Sequence, residues 1–193
     1  MRISGGSAVR RLIPSADLPG VRPTQDRVRE ALYSAIAPAV PGARVLDLFA
    51  GTGSLGLEAW SRGAAFVAWV ERERAPYRAL CKTVSAFAIP PAAGRVISAD
   101  AFRLLALPPP SAPYDLVLAD PPYAEARQND WLPRLAALLS ANRWLAPGGL
   151  FVYETEGSDP LPGLPGLDLL RDRRYGRTRL LLFRLSSSPT GGA

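Results

Sequence analysis

Between residues 44 and 154, short apolar runs alternate with helical patterns, and this alternation limits the fold more than any other feature of the chain. Runs at 44–49, 66–71, 95–99, 114–120 and 150–154 have the length and the β-branched or aromatic content of strands. Stretches at 54–62, 74–88 and 130–142 between them read as crossover helices. Strands separated in this way build a parallel sheet covered on both faces. After residue 155 the pattern changes: the loop GSDPLPGLPG leads to runs at 167–173 and 178–185, joined by Arg174-Tyr175-Gly176-Arg177, which predicts a closing antiparallel hairpin. Near the other end, Pro23 suits a helix start, with Thr24, Asp26 and Glu30 close to its positive end. Val28, Ala31, Leu32 and Ile36 give that helix an apolar face. The expected organisation is a basic extension at 1–22 forming a β-hairpin, a main domain at 23–185 and a frayed tail at 186–193.

Composition removes several chemistries. The 193 residues contain one cysteine, Cys81, and no histidine, which excludes an internal disulfide, an imidazole acid or base, and a histidine-bound zinc. No run approaches the roughly 18 apolar residues of a membrane span, and the basic N-terminus is not followed by an apolar signal core, so a cytoplasmic location is expected. The net charge of +6 is uneven: residues 1–30 hold six arginines against three acids, and residues 171–184 hold six against one aspartate. Basic ends around a middle of net charge −2 suit a polyanionic partner. A chain rich in Ala, Pro and Arg with a single lysine is also what GC-rich coding produces, so charge alone decides little.

The first strand runs into Asp47-Leu48-Phe49-Ala50-Gly51-Thr52-Gly53-Ser54-Leu55-Gly56. Glycines at this point permit a tight turn at the mouth of an α/β sheet, where ligands bind. A carboxylate at Asp47 is electrostatically wrong for a pyrophosphate. It suits a ligand with cationic groups and no phosphate, and S-adenosylmethionine is such a ligand. The loop, with Phe49, Ala50, Gly51 and Gly53, then packs against the nucleoside, and Asp47 supports the amino-acid end directly or through water. Glu71, at the end of the next strand, can accept the ribose hydroxyls, with Arg72 beside it, and Asp100, followed by Ala101, can accept from the adenine amine.

Asp120-Pro121-Pro122-Tyr123 closes the fourth predicted strand. Two prolines carry no amide donors and stiffen the chain, which clusters an acceptor carboxylate, outward carbonyls and an aromatic ring. That is a site for a planar amine. Two acceptors can draw an exocyclic base amine towards tetrahedral geometry and stabilise its developing charge, while Tyr123 stacks on a base that has left its own stack.

With these motifs in view the chain resembles the S-adenosylmethionine-dependent methyltransferases that carry an Asn/Asp-Pro-Pro-aromatic motif, and within them the bacterial 16S ribosomal RNA guanine-N2 methyltransferases of the RsmD type. The resemblance rests on Arg2-Ile3-Ser4-Gly5-Gly6, on residues 22–32 (RPTQDRVREAL), on residues 46–56 with Glu58-Ala59 and Ser61-Arg62-Gly63-Ala64, on Asp120 to Tyr123, and on Tyr175-Gly176 with Thr178. It implies a Rossmann-like class I methyltransferase fold with a mostly parallel seven-stranded sheet. It also implies methylation of one guanine amine in 16S rRNA, free or in the assembling small subunit, by a monomer that converts S-adenosylmethionine to S-adenosylhomocysteine without a metal. Asp120, Pro121, Pro122 and Tyr123 are then catalytic, and Asp47, Glu71 and Asp100 line the cofactor site. Two departures stand out: Ala8-Val9-Arg10-Arg11-Leu12 lacks the glycine usual between the family's basic residues, and Cys81-Lys82-Thr83 replaces a common asparagine.

The basic ends acquire a role in this reading, with Arg2, Arg10, Arg11, Arg22, Arg173, Arg174 and Arg177 holding phosphates around the cleft. The nearest alternative keeps the chemistry and changes the substrate to a DNA base amine or a protein glutamine amide. A nicotinamide-dependent oxidoreductase is disfavoured by Asp47, and a non-catalytic RNA-binding relic by the intact motif at 120–123.

Overall fold

The computed structural model describes residues 1–14 and 26–186. Arg22, Pro23 and Thr24, and the tail from 187, lie outside the described residues. The chain divides into two compact units, Met1–Ala101 and Phe102–Ala193. Seven strands, β1 (Arg44–Leu48), β2 (Phe66–Glu71), β3 (Gly94–Ser98), β4 (Tyr114–Ala119), β5 (Leu145–Glu156), β6 (Leu167–Tyr175) and β7 (Thr178–Leu185), form one sheet in the order β3-β2-β1-β4-β5-β7-β6.

The first unit contains α1 (Asp26–Ala35), a 3-10 turn (Ala37–Ala39), β1 (Arg44–Leu48), α2 (Ser54–Ser61), β2 (Phe66–Glu71), α3 (Arg74–Ala86) and β3 (Gly94–Ser98), with α4 (Ala101–Leu105) starting at its last residue. β2 pairs in parallel with β1 on one side and β3 on the other. Val45, Leu46 and Leu48 of β1 and Val67 to Val70 of β2 are buried, the continuous apolar pattern of strands covered on both faces. Within residues 1–14 one antiparallel bridge joins Arg2 to Leu12 and folds this segment into a hairpin; residues 15–22 of the expected extension lie outside the described residues.

Ile3 and Ile13 of this hairpin are buried, and its tip is tied to the end of α2. The Ser7 amide donates to the Ser61 carbonyl at 2.7 Å, the Ser61 hydroxyl donates to the Gly5 carbonyl at 2.6 Å, and the Ala8 amide donates to the Ser61 hydroxyl at 2.9 Å. Gly6, at φ +82°, lies so close that a Cβ would stand 1.8 Å from the Ser61 carbonyl oxygen. Gly6→Ala is therefore expected to detach the hairpin, read as faster proteolysis within residues 1–14 than in the wild type.

The second unit contains β4 (Tyr114–Ala119), α5 (Tyr123–Gln128), α6 (Trp131–Ala141), β5 (Leu145–Glu156), β6 (Leu167–Tyr175) and β7 (Thr178–Leu185). β4 and β5 are parallel, whereas β5 with β7 and β7 with β6 are antiparallel, as the closing hairpin predicts. The hairpin turn is tighter than expected: Tyr175 pairs with Thr178, and Gly176 takes φ +61° in a two-residue loop. β5 begins earlier than expected, with a register shift where Pro147, Gly148 and Gly149 interrupt the pattern. β6 is an edge strand, and a register shift between Leu169 and Arg171 together with its charged side chains blunts that edge. No helix among the described residues is long and apolar enough to cross a membrane.

Candidate functional site

In the first unit the glycine loop follows β1 directly. Phe49 takes φ +60° and Gly51 φ +53°, and the Ala50 amide donates to the Val70 carbonyl at 2.9 Å. A left-handed phenylalanine is uncommon and costs energy that the surrounding contacts must offset. Two carboxylates supply such contacts. Asp47, 1% exposed, accepts the Gly56 amide at 2.8 Å. Glu71, 8% exposed, accepts the Gly51 amide at 2.9 Å through one oxygen and the Glu73 amide at 2.7 Å through the other. Asp47 and Glu71 thus set the shape of the loop, whatever they contribute to a ligand.

Trp69, which the apolar pattern marks only as core, is the floor of this loop. Its indole is buried and donates to the Gly53 carbonyl at 3.3 Å. A Cβ on Gly56 would lie 2.2 Å from the indole nitrogen, and one on Gly53 would lie 2.3 Å from a Leu80 methyl. The glycines are therefore fixed by packing as well as by turn geometry. Asp100 immediately precedes α4, and the adjacent Ala99 amide donates to the Glu71 carbonyl at 3.2 Å. Arg72 is exposed and pairs with Glu73 at 3.1 Å, while Ala101 is buried.

In the second unit Asp120-Pro121-Pro122 leaves β4, and Tyr123 opens α5 with Pro122 as the residue before its first turn. The Tyr123 hydroxyl donates to Glu154 Oε1 at 2.6 Å, and Thr178 lies close enough to the phenol to lower its pKa slightly. Burial raises the Tyr123 pKa, and the charges of Asp120 and Glu154 reinforce it, so Tyr123 stays a neutral donor. Burial and then Asp120 do the same to Tyr153.

Glu154 was expected only as a strand end. Its side chain is 4% exposed, and its Oε2 has no hydrogen-bond partner among the described residues. Burial, followed by the charge of Asp120, raises its pKa to about 8, against the lowering effect of the Tyr123 bond. The folded-state value lies above the ordinary 4.5, so the associated stability is complete below that value and is lost as pH rises through about 8. Denaturant unfolding between pH 5 and 9 is expected to show this decline, and Glu154→Gln to flatten it.

The arginines divide into two sets. Arg2, Arg10, Arg173, Arg174 and Arg177 are exposed, and Arg177 pairs with Glu156 at 3.2 Å. The exposed Arg11 lies over the Phe87 ring at 4.1 Å and donates to the Ala86 carbonyl. Arg179, in the same basic segment, is buried and fixed at 2.9 and 2.6 Å to both oxygens of Asp172, whose pKa its hydrogen bonds lower. Arg29 and Glu58 are buried in the first unit and joined at 3.2 Å; Glu58 also accepts the Ser4 amide and hydroxyl and the Arg62 guanidinium at 2.7 to 2.9 Å. Burial alone would raise the Glu58 pKa, but Ser4 and Arg62 outweigh it and hold it low.

A mostly parallel seven-stranded sheet with an antiparallel C-terminal pair, an acid-flanked glycine loop after β1 and Asp-Pro-Pro-Tyr after β4 define a class I methyltransferase. The family described as Conserved hypothetical protein 95 matches residues 1–184, and the chain belongs to it. The chain is 37% identical over 185 residues to ribosomal RNA small subunit methyltransferase D of Escherichia coli, covering 95% of this chain and 89% of that protein. It is 32% identical to the protein of the same name from Haemophilus influenzae, covering 95% and 93%. The solved structure of yhhF from Escherichia coli superposes with a TM-score of 0.86 at 35% identity, covering 97% of this chain and 99% of that one.

Proposed function

We propose that the protein transfers a methyl group from S-adenosylmethionine to the exocyclic N2 amine of one guanine in 16S rRNA of the bacterial small subunit, and works in the cytoplasm. The observation that carries this reading is Asp120-Pro121-Pro122-Tyr123 at the end of β4, with the Tyr123 phenol fixed by Glu154. The chemistry of the first unit fits the cofactor. Acids end β1 and β2, the buried Asp47 excludes a pyrophosphate, and Glu71 and Asp100 offer acceptors for hydroxyl and amine groups. S-adenosylmethionine supplies a methyl group made electrophilic by its sulfonium.

Asp120 and the carbonyls beside it accept hydrogen bonds from the amine and orient its lone pair. They stabilise positive charge as the N–C bond forms and the S–C bond breaks. One amine proton then passes to solvent. Tyr123 remains neutral and holds the base by its ring.

The test is transfer from radiolabelled S-adenosylmethionine to unmodified small subunits, with naked 16S RNA, DNA and glutamine-bearing protein in parallel. Label in subunits or their RNA is expected. Label in DNA or protein would keep the chemistry and overturn the substrate. Phosphate contacts by the exposed arginines add a further expectation: Arg10→Glu should weaken RNA binding and reduce the salt slope by about one unit, with cofactor affinity unchanged. Filter binding from low to high salt, beside cofactor titration, measures both.

A further inference from the structure

The mechanism above leaves Glu154 Oε2 unused. A buried acceptor without a donor is costly and calls for an explanation, and a role toward substrate is one. This one belongs to the side chain that holds the catalytic tyrosine, and Asp120 is near enough to raise its pKa. A substrate that brings an amine to Asp120 can therefore bring a second group to Glu154.

The candidate amines differ in what stands beside them. On one side of its N2 amine guanine carries N1–H, a donor, and on the other N3, an acceptor. Next to their amines, adenine and cytosine carry a ring nitrogen with a lone pair, and a glutamine amide carries its carbonyl oxygen. A carboxylate oxygen beside the amine site attracts the first and repels the others. We propose that Glu154 Oε2 accepts the N1–H of the target guanine, so that Glu154 reads the base while its other oxygen positions Tyr123. The inference rests on the guanine reading above and extends it to a specificity residue. The N1–H bond favours the ionised carboxylate, opposing the burial and the Asp120 charge that favour its protonated form.

The test exchanges the hydrogen-bond sense on both partners. Wild type and Glu154→Gln are given small-subunit RNA in which the guanine labelled by the wild type is either retained or replaced by 2,6-diaminopurine, which keeps the N2 amine and has an acceptor at N1. The glutamine carbonyl can still take the Tyr123 hydroxyl, but its amide presents a donor where Oε2 stood. Wild type is expected to prefer guanine by roughly 100-fold in kcat/KM, and Glu154→Gln to lose about that factor on guanine and to prefer 2,6-diaminopurine. Tyr123→Phe, which removes the phenol but leaves the carboxylate, should slow both substrates without changing their ratio.

Equal loss on both bases in Glu154→Gln, or no preference in the wild type, would overturn the proposal and leave Glu154 as a support for Tyr123 alone. The wild-type comparison of the two bases does not depend on the folding of any variant. Label from the wild type on adenine, cytosine or a protein amide would instead overturn the guanine reading and this inference with it. Nucleoside analysis distinguishes that outcome.

Discussion

Asp120→Ala is expected to lower kcat/KM for methyl transfer by about 10²–10⁴-fold, the usual cost of removing a group that acts on developing charge. Cofactor affinity, measured by calorimetry, should stay near the wild-type value, because the loop at 49–53 is held by Asp47, Glu71 and Trp69. The lone pair of an exocyclic amine is delocalised into its ring, and only acceptors placed on the amine hydrogens recover it for attack. Asp120→Asn keeps an acceptor oxygen and should retain more activity than the alanine variant. It also removes a charge that raises the Glu154 pKa, which should fall towards the ordinary range. Equal transfer by wild type and Asp120→Ala would remove Asp120 from the chemistry.

The largest expected loss of stability lies elsewhere. Arg29→Ala should destabilise the fold by about 3–5 kcal/mol, because it breaks a buried ion pair and leaves Glu58 to Ser4 and Arg62. For a domain of this size that corresponds to a fall in Tm of roughly 10–15 °C. Arg29 also donates to the Arg2 carbonyl and to Asp26 at 2.9 Å, so the same change should loosen the N-terminal hairpin. Calorimetry and limited proteolysis report the two effects separately. A fall of only a degree or two would show that Ser4 and Arg62 satisfy Glu58 without help. In acid this network weakens in the wild type: the Glu58 pKa is depressed, so its contribution is intact above the ordinary carboxylate value of 4.5 and is lost as pH falls through the lower folded-state value.

Strands β1 to β4 and the closing hairpin were legible because apolar runs of strand length end at glycine, proline or acids. The helices α4 and α5 were not, since five or six residues are too few for a helical period to appear. The start of β5 was hidden by Pro147-Gly148-Gly149, residues that ordinarily interrupt a strand and here coincide with its register shift. At the site, Asp47, Glu71 and Asp120 could be read as acids ending strands, a pattern visible along the chain. The partners of Glu58 could not, for Ser4 lies 54 residues away and Arg29 lies 29 away.

Charge counting failed for a related reason. Arg29 and Arg179 contribute to the basic ends of the chain, yet both are buried and paired with acids. Only the folded structure separates them from arginines that face solvent. Glu154 escaped notice because an acid at a strand end ordinarily meets water, and nothing local announces that Tyr123 and Thr178 converge there. In the sequence Trp69 is like any apolar strand residue, and only the fold brings Gly53 and Gly56 against its ring.

The most direct test of the account identifies the methylated atom. Small subunits labelled from S-adenosylmethionine are digested to nucleosides, and the labelled product is compared with authentic standards by chromatography and mass. Label in N2-methylguanosine, absent with Asp120→Ala, is the predicted result. Label in a methylated adenosine or cytidine, or on a ring nitrogen of guanine, would contradict the account.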